Sequence, residues 1–209
     1  GNTGGCTTTV GPVNMIEPDT ISTTITPSIY SGGYNISGCI DDGTIDLEVE
    51  GGTPNYTYTW TGTDVIVGEQ DQTNLGEGWY YVTIIDVNGC NFDDSIYLDA
   101  PDVVVIETAT LSSYVNGYNI RCNGGNDGTI DISVFGGAAP YTYDWISNGL
   151  PAIVPVGQEN DEDQTGLSAG SYTVTVTDQN GCPKDTILIL TEPLPLLVTI
   201  NGDALLCNG

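Results

Sequence analysis

The stretch DGTIDLEVEGGTPNYTYTW, residues 42–60, returns as DGTIDISVFGGAAPYTYDW at residues 127–145, a constant offset of 85. Inside it Ile45, Leu47 and Val49 alternate with Thr44, Asp46, Glu48 and Glu50. That is the period of a strand with one buried and one wet face. Gly51-Gly52-Thr53-Pro54, matched by Gly136-Gly137-Ala138-Ala139-Pro140, then breaks the chain before a second strand. On that strand Tyr56, Tyr58 and Trp60, and their partners Tyr141, Tyr143 and Trp145, put three rings on one face. The tryptophan of the corresponding immunoglobulin strand is a core residue, so these rings read as core rather than as a sugar platform.

A second block, Leu75 to Cys90, returns at Leu167 to Cys182 with an offset of 92, so the second copy carries a seven-residue insertion between the blocks. Asn88-Gly89 and Asn180-Gly181 are hairpin dipeptides. Leu75 through Tyr80 and Leu167 through Tyr172 fit a tyrosine corner at the entrance to the penultimate strand. No helical period competes. A repeat of this length means tandem domains, each with its own core, rather than the short units of a solenoid. About seven short strands per copy predict an all-β chain of tandem immunoglobulin-like antiparallel β-sandwiches arranged end to end. The expected boundaries are the C-terminal strand of a preceding repeat over 1–18, complete repeats over 19–101 and 102–193, and the start of a following repeat over 194–209.

Twenty-eight acidic residues stand against Arg121 and Lys184, with no histidine, for a formal charge of -26. Such a chain repels phosphates and anionic lipid, which disfavours nucleic-acid binding. No apolar run approaches the roughly 18 residues of a membrane span, so membrane insertion is not expected. With 39% hydrophobic residues, three tryptophans, twelve tyrosines and two phenylalanines, the chain has the material for small cores. Catalysis finds little footing. There is no histidine, no nucleophile elbow and no phosphate-cradling loop ending in Lys, and neighbours such as Asp93 and Asp94 on one strand point to opposite faces.

The order Cys122, Asn-Gly-Gly-Asn-Asp-Gly, strand, Gly-Gly, Pro-Tyr-Thr-Tyr-x-Trp, Leu-x-x-Gly-x-Tyr-x-Val-x-Val-x-Asp, Asn-Gly-Cys, Glu-Pro resembles the SprB-type repeat of large Bacteroidota surface adhesins, with PKD and fibronectin type III arrays the nearest similar patterns. The first copy shortens the cysteine loop to Cys39-Ile40-Asp41-Asp42-Gly43, and both copies insert a hairpin, at Tyr30 to Ile36 and Tyr114 to Ile120. The resemblance implies a secreted protein of the bacterial cell surface, exported by type IX secretion, whose repeats form a stalk or filament for adhesion or gliding. The partners implied are adjacent repeats of the same chain and an unidentified surface receptor or glycan. A module that itself grips glycan or protein, and a filament or sheath subunit that self-associates laterally, are the alternatives.

The cysteines fall into two classes. Cys39, Cys122 and Cys207 follow the first strand, while Cys6, Cys90 and Cys182 sit beside the last hairpin turn. Pairing within a repeat would join Cys39 to Cys90 and Cys122 to Cys182. Strands of about eight residues separate those positions by some 25 Å, whereas a disulfide tolerates at most about 7 Å between Cα atoms. The favoured pairing is therefore an inter-repeat staple, Cys39 to Cys182, with Cys6, Cys90, Cys122 and Cys207 paired to flanking repeats. Pairing within each repeat stays the alternative, and metal-binding or free thiols are a third reading, without the close spacing that would recommend it.

Three further sets of candidate sites are legible. Asp42 with Asp46, and Asp127 with Asp131, place carboxylates near a tight turn, where calcium could bind, although turn capping explains aspartates there equally simply. No other cofactor is indicated. Asp161-Glu162-Asp163 in the insertion reads as a solvated loop. Thr20, Ser95 and Thr186 each follow an aspartate and precede an isoleucine, a pattern similar to the O-glycosylation sequon of Bacteroidota. Trp79 stands where the second copy has Ser171, on the face opposite Tyr80, and is the candidate exposed contact.

Overall fold

The computed structural model describes residues 17–149 and 154–199. Every strand pairing among them is antiparallel. The strands are β1 (Ser22–Pro27), β2 (Gly43–Glu50), β3 (Thr57–Thr61), β4 (Gln72–Leu75), β5 (Gly78–Ile85), β6 (Asn91–Leu98), β7 (Val105–Leu111), β8 (Gly128–Phe135), β9 (Thr142–Ser147), β10 (Gln164–Leu167), β11 (Gly170–Thr177) and β12 (Pro183–Leu190). They form four three-stranded sheets: β1-β2-β4 and β3-β5-β6 from the first copy, β7-β8-β10 and β9-β11-β12 from the second. The strand order is identical in the two copies, as the duplicated sequence requires.

The chain divides into two compact units. The first holds residues 17–28 with Gly43–Leu98, and the second holds Ile29–Asp42 with the described residues from Asp99 onward. In the first unit Ile45 and Leu47 from one sheet and Trp60, Tyr80, Val82 and Ile84 from the other are buried. In the second, Ile120, Ile130, Ile132, Trp145, Leu167, Tyr172, Val174, Val176 and Leu190 make one core. Alternation along β5 and β11 sorts these residues inward, and their neighbours outward.

Each unit shows six strands among the described residues where the sequence predicts about seven. The difference lies between β3 and β4. There the chain satisfies its amides on a glutamine rather than on a neighbouring strand: Gln72, fully buried, accepts from the Ile66 N–H at 2.6 Å and donates to the carbonyls of Ile66 at 3.1 Å and Glu69 at 3.2 Å. Gln164 is its buried counterpart and donates to the Gln158 carbonyl at 2.6 Å.

The insertion that reads as solvated is tied to the sandwich. Asp163 Oδ1 accepts the Ile132 N–H at 3.0 Å, as Asp71 does for Leu47, and the Asp161 carbonyl accepts the Trp145 indole N–H at 2.8 Å. Burial, and then the Glu162 carboxylate beside it, pushes the Tyr143 phenol up to about 12. The acidic side chains are exposed, and it is the Asp161 backbone carbonyl that meets the buried tryptophan.

Candidate functional site

After β1 the chain makes a short 3-10 turn over Ser31–Gly33 and enters the loop that carries Cys39. Its hydrogen bonds place it in the second unit. The N–H groups of Asn35 and Ile36 donate to the Asp99 carbonyl at 2.8 and 3.2 Å, and Asn35 Oδ1 accepts the Asp99 N–H at 3.1 Å. The same bonds recur at Asn119, Ile120 and Thr191. Gly38, at φ 96°, lies so close to Pro101 that a Cβ there would come within 2.7 Å of the ring.

This loop meets the turn between β11 and β12. The Ser31 N–H donates to Asn180 Oδ1 at 3.0 Å, the Asn180 side-chain amide donates to the Ser37 carbonyl at 3.2 Å, and the Ser31 hydroxyl lies 2.5 Å from Gln179 Oε1. Cys39 is disulfide-bonded to Cys182, with 5.3 Å between their Cα atoms. Cys182 is only 5% exposed, whereas Cys90 and Cys122 are exposed and unbonded among the described residues. Cys6 and Cys207 lie outside the described residues.

A buried aspartate that the sequence reading did not single out holds this turn. Asp178 Oδ1 accepts the N–H groups of Asn180 at 2.9 Å and Cys182 at 2.8 Å, and Oδ2 accepts from Ala138 at 2.9 Å. Asp86 repeats the arrangement with Asn88, Cys90 and Thr53. Burial pushes the Asp86 carboxyl up, but the backbone N–H groups of Cys90, Thr53, Asn88 and Gly89 outweigh it and hold the carboxyl below its ordinary value. The signal was the aspartate at a fixed distance before Asn-Gly-Cys in both copies.

The calcium candidates are spread rather than gathered. Asp42 Oδ1 caps the Ser37 N–H at 2.9 Å. Asp127 Oδ1 caps the Arg121 N–H at 3.1 Å, while its other oxygen pairs with the Arg121 guanidinium at 3.5 Å. Asp46 and Asp131 stand exposed on β2 and β8. Among the described residues no three histidine, cysteine or acidic side chains are grouped to hold a metal ion. Of the glycosylation candidates, Thr20 and Ser95 are exposed, while Thr186 sits half-buried opposite Val174. The carboxylates of Asp93 and Asp94 diverge, the first bonded to the Thr83 hydroxyl at 2.6 Å and the second to that of Thr23.

Trp79 is 54% exposed and does not stand alone. Register sets it opposite Tyr97, and Tyr81 follows two residues along β5 on the same face. The indole stacks on Tyr81 with ring centroids 5.9 Å apart and meets Tyr97 at 5.4 Å, tilted by 59°. Tyr81 is 52% and Tyr97 41% exposed, and the Tyr97 hydroxyl donates to Glu77 at 2.8 Å. A shallow hollow of about 370 Å³ lined by Tyr81, Thr83, Asp93 and Ser95 adjoins them. Tyr81 lies on the same strand and is legible from alternation, whereas Tyr97 comes from β6, so only the register reveals it.

Duplicated six-stranded sandwiches with an immunoglobulin-like strand order define a tandem β-sandwich repeat protein. The SprB repeat family matches one stretch in each copy, at residues 39–65 and 118–150. Each match starts at or just before the cysteine loop and runs past the core tryptophan. A decoration protein of Escherichia phage T5 is 37% identical over 59 residues, which is 28% of this chain and 36% of that protein, so the chain spans about a third of that relative's length. Among solved structures, the intimin C-terminal fragment in complex with the intimin-binding domain of its translocated receptor aligns over 82% of this chain and 64% of its own, at 13% identity and a TM-score of 0.43. The eight N-terminal immunoglobulin domains of Down syndrome cell adhesion molecule align over 83% of this chain and 37% of their own, at 11% identity and a TM-score of 0.39. At these scores the likenesses carry no argument, and the fold rests on strand order and register.

Proposed function

We propose that the chain is a non-enzymatic repeat segment of a secreted bacterial surface adhesin or filament, in which consecutive sandwiches joined end to end act as a stiff spacer for adhesion or gliding. The observation that carries this reading is the Cys39–Cys182 bond, which ties the β1–β2 loop of the first sequence copy to the last hairpin turn of the second. The SprB-repeat match in each copy supports it. A spacer under tension gains from such a bond because the pull passes through the disulfide and bypasses the 143-residue separation between the two cysteines.

Single-molecule stretching from the two ends tests this. Reduction should add about 500 Å of releasable contour length, the span of the bypassed residues at up to 3.6 Å each, and the oxidised chain should lack that release. Equal release in both states would remove the bond from the load path.

The aromatic face favours a second reading, in which the first sandwich itself binds a neutral glycan. Trp79 and Tyr81 offer rings for pyranose stacking, Thr83, Ser95 and Asp93 supply hydrogen-bonding groups beside them, and the charge of -26 disfavours anionic sugars. On a glycan array the chain should retain neutral oligosaccharides, and Trp79→Ala should lose them. Retention that survives Trp79→Ala would place any binding elsewhere.

A further inference from the structure

The fold does not need the aromatic cluster that β5 and β6 carry. At the same register positions the second copy has Ser171 for Trp79, Thr173 for Tyr81 and Ile189 for Tyr97, and its sheet keeps the same strand order and pairing. None of the three rings enters a core; all are exposed on the outer face of the sheet. Rings that the sandwich can do without, held against one another in water, mark a surface kept for a ligand.

The arrangement of the rings restricts what that ligand is. Trp79 and Tyr81 lie two residues apart on one strand, with centroids 5.9 Å apart and planes only 20° from parallel. Two pyranoses stacked on them are therefore consecutive, and their ring planes are nearly parallel. Equatorial linkage at C1 and C4 keeps successive sugars in one flat ribbon, whereas an axial linkage turns each ring away from the last. In the gluco configuration both faces of the sugar carry axial C–H groups, so alternate residues of the ribbon stack equally well. The strand sets the line of the ribbon. Beyond Tyr81 the next outward residue on β5 is Thr83, with Thr59 and Asp93 as its cross-strand neighbours. The Thr83 hydroxyl donates to Asp93 Oδ1 at 2.6 Å and so orients that carboxylate beside the hollow next to Tyr81. Two stacking positions are thus followed by a hydrogen-bonding one.

Charge favours a sugar over another molecule of this chain as the occupant. Glu77, which accepts from the Tyr97 hydroxyl, and Asp93 flank the rings, and the chain has only Arg121 and Lys184 against 28 acidic residues. A second molecule would set carboxylate against carboxylate here, while a neutral sugar donates hydroxyl protons to the same groups. We propose that the line Trp79, Tyr81, Thr83 on β5 binds a neutral, equatorially 1,4-linked glycan of the β-glucan class over three consecutive sugars. The proposal rests on the glycan-binding reading of this face and narrows it to one linkage and one ring configuration. Trp79 and Tyr81 stack on the first two sugars, Tyr97 backs the indole, and the Asp93 carboxylate accepts from a hydroxyl of the third. The site belongs to the first copy, since Ser171 and Thr173 offer no ring in the second.

The test titrates the full chain with the β-1,4-linked glucose hexamer and, separately, with its α-1,4-linked isomer. Trp60 and Trp145 are buried, so a change in tryptophan emission reports on Trp79. The β-linked hexamer should shift the emission and bind about tenfold tighter than the α-linked one, which can stack on only one of the two rings. Affinity should rise from the β-linked dimer to the trimer and level off beyond it. Tyr81→Ala, at an exposed position, should weaken the trimer roughly two- to tenfold with circular dichroism unchanged, and Asp93→Ala should weaken the trimer but not the dimer. Equal affinity for the two hexamers overturns the proposal while the broader glycan reading stands. No response to either hexamer overturns both. An emission shift that grows with protein concentration in the absence of sugar gives the face to a second molecule of the chain and likewise overturns both.

Discussion

At Tyr80 and Tyr172 a phenol hydroxyl reaches back four residues to a backbone carbonyl, Gly76 at 2.8 Å and Ser168 at 2.9 Å. Both rings are fully buried, and removing the hydroxyl deletes a part-buried hydrogen bond, which should cost about 0.5–1.5 kcal/mol. Tyr172→Phe should therefore lower the urea midpoint without changing the slope, and an unchanged midpoint would mean water replaces the bond. Asp86 gives a pH dependence with a definite sign. Its carboxyl is held below its ordinary value in the fold, so the stability it contributes is present above the unfolded pKa of about 4 and is lost as pH falls through the folded value. The advantage of the native chain over Asp86→Asn should be constant near neutrality and shrink on acidification, read as urea midpoints across pH. A difference independent of pH would show that the charged form is not what the turn selects. The tyrosine corner was legible because Leu-x-x-Gly-x-Tyr names it. The partners of Asp86 were not, because they come from a loop 33 residues away as well as from its own turn.

At the scale of elements, the Gly-Gly breaks between β2 and β3 and between β8 and β9 show why the repeat keeps glycine there. Gly51 and Gly136 have φ of 78° and 74°, and a Cβ on either would sit 2.1 Å from a carbonyl oxygen, that of Thr20 or Val103. Gly136→Ala must displace backbone as well as adopt a left-handed conformation, so it should destabilise the second sandwich by about 1–3 kcal/mol or more. A thermal scan in which the variant melts with the native chain would contradict this. Alternation made the strands readable from Ile45-x-Leu47-x-Val49 and Tyr172-x-Val174-x-Val176, since each has one buried and one wet face. It could not reveal that the stretch after β3 lacks a strand partner, because Gln72 reads as a polar surface residue until its amide is seen between the Ile66 and Glu69 carbonyls. Nor could it set Tyr97 beside Trp79, since that neighbourhood depends on pairing between strands and not on order along one.

For the molecule as a whole, the proposed spacer role depends on the linkage between repeats more than on any single core. The duplicated sequence made the two sandwiches legible at once. Less legible was that the loop after β1 would hydrogen-bond with the second unit through Asn35, Ser31 and Ser37, because those residues look like ordinary turn formers in a polar stretch. Small-angle scattering of the oxidised chain beside its Cys39→Ser/Cys182→Ser variant is the most direct test of a stiff, stapled array. The oxidised chain should give an extended pair-distance function with a distinct second maximum from the separation of two sandwiches, and the variant should blur that maximum. A single compact maximum for the oxidised chain, or curves that superimpose for the two proteins, would contradict it.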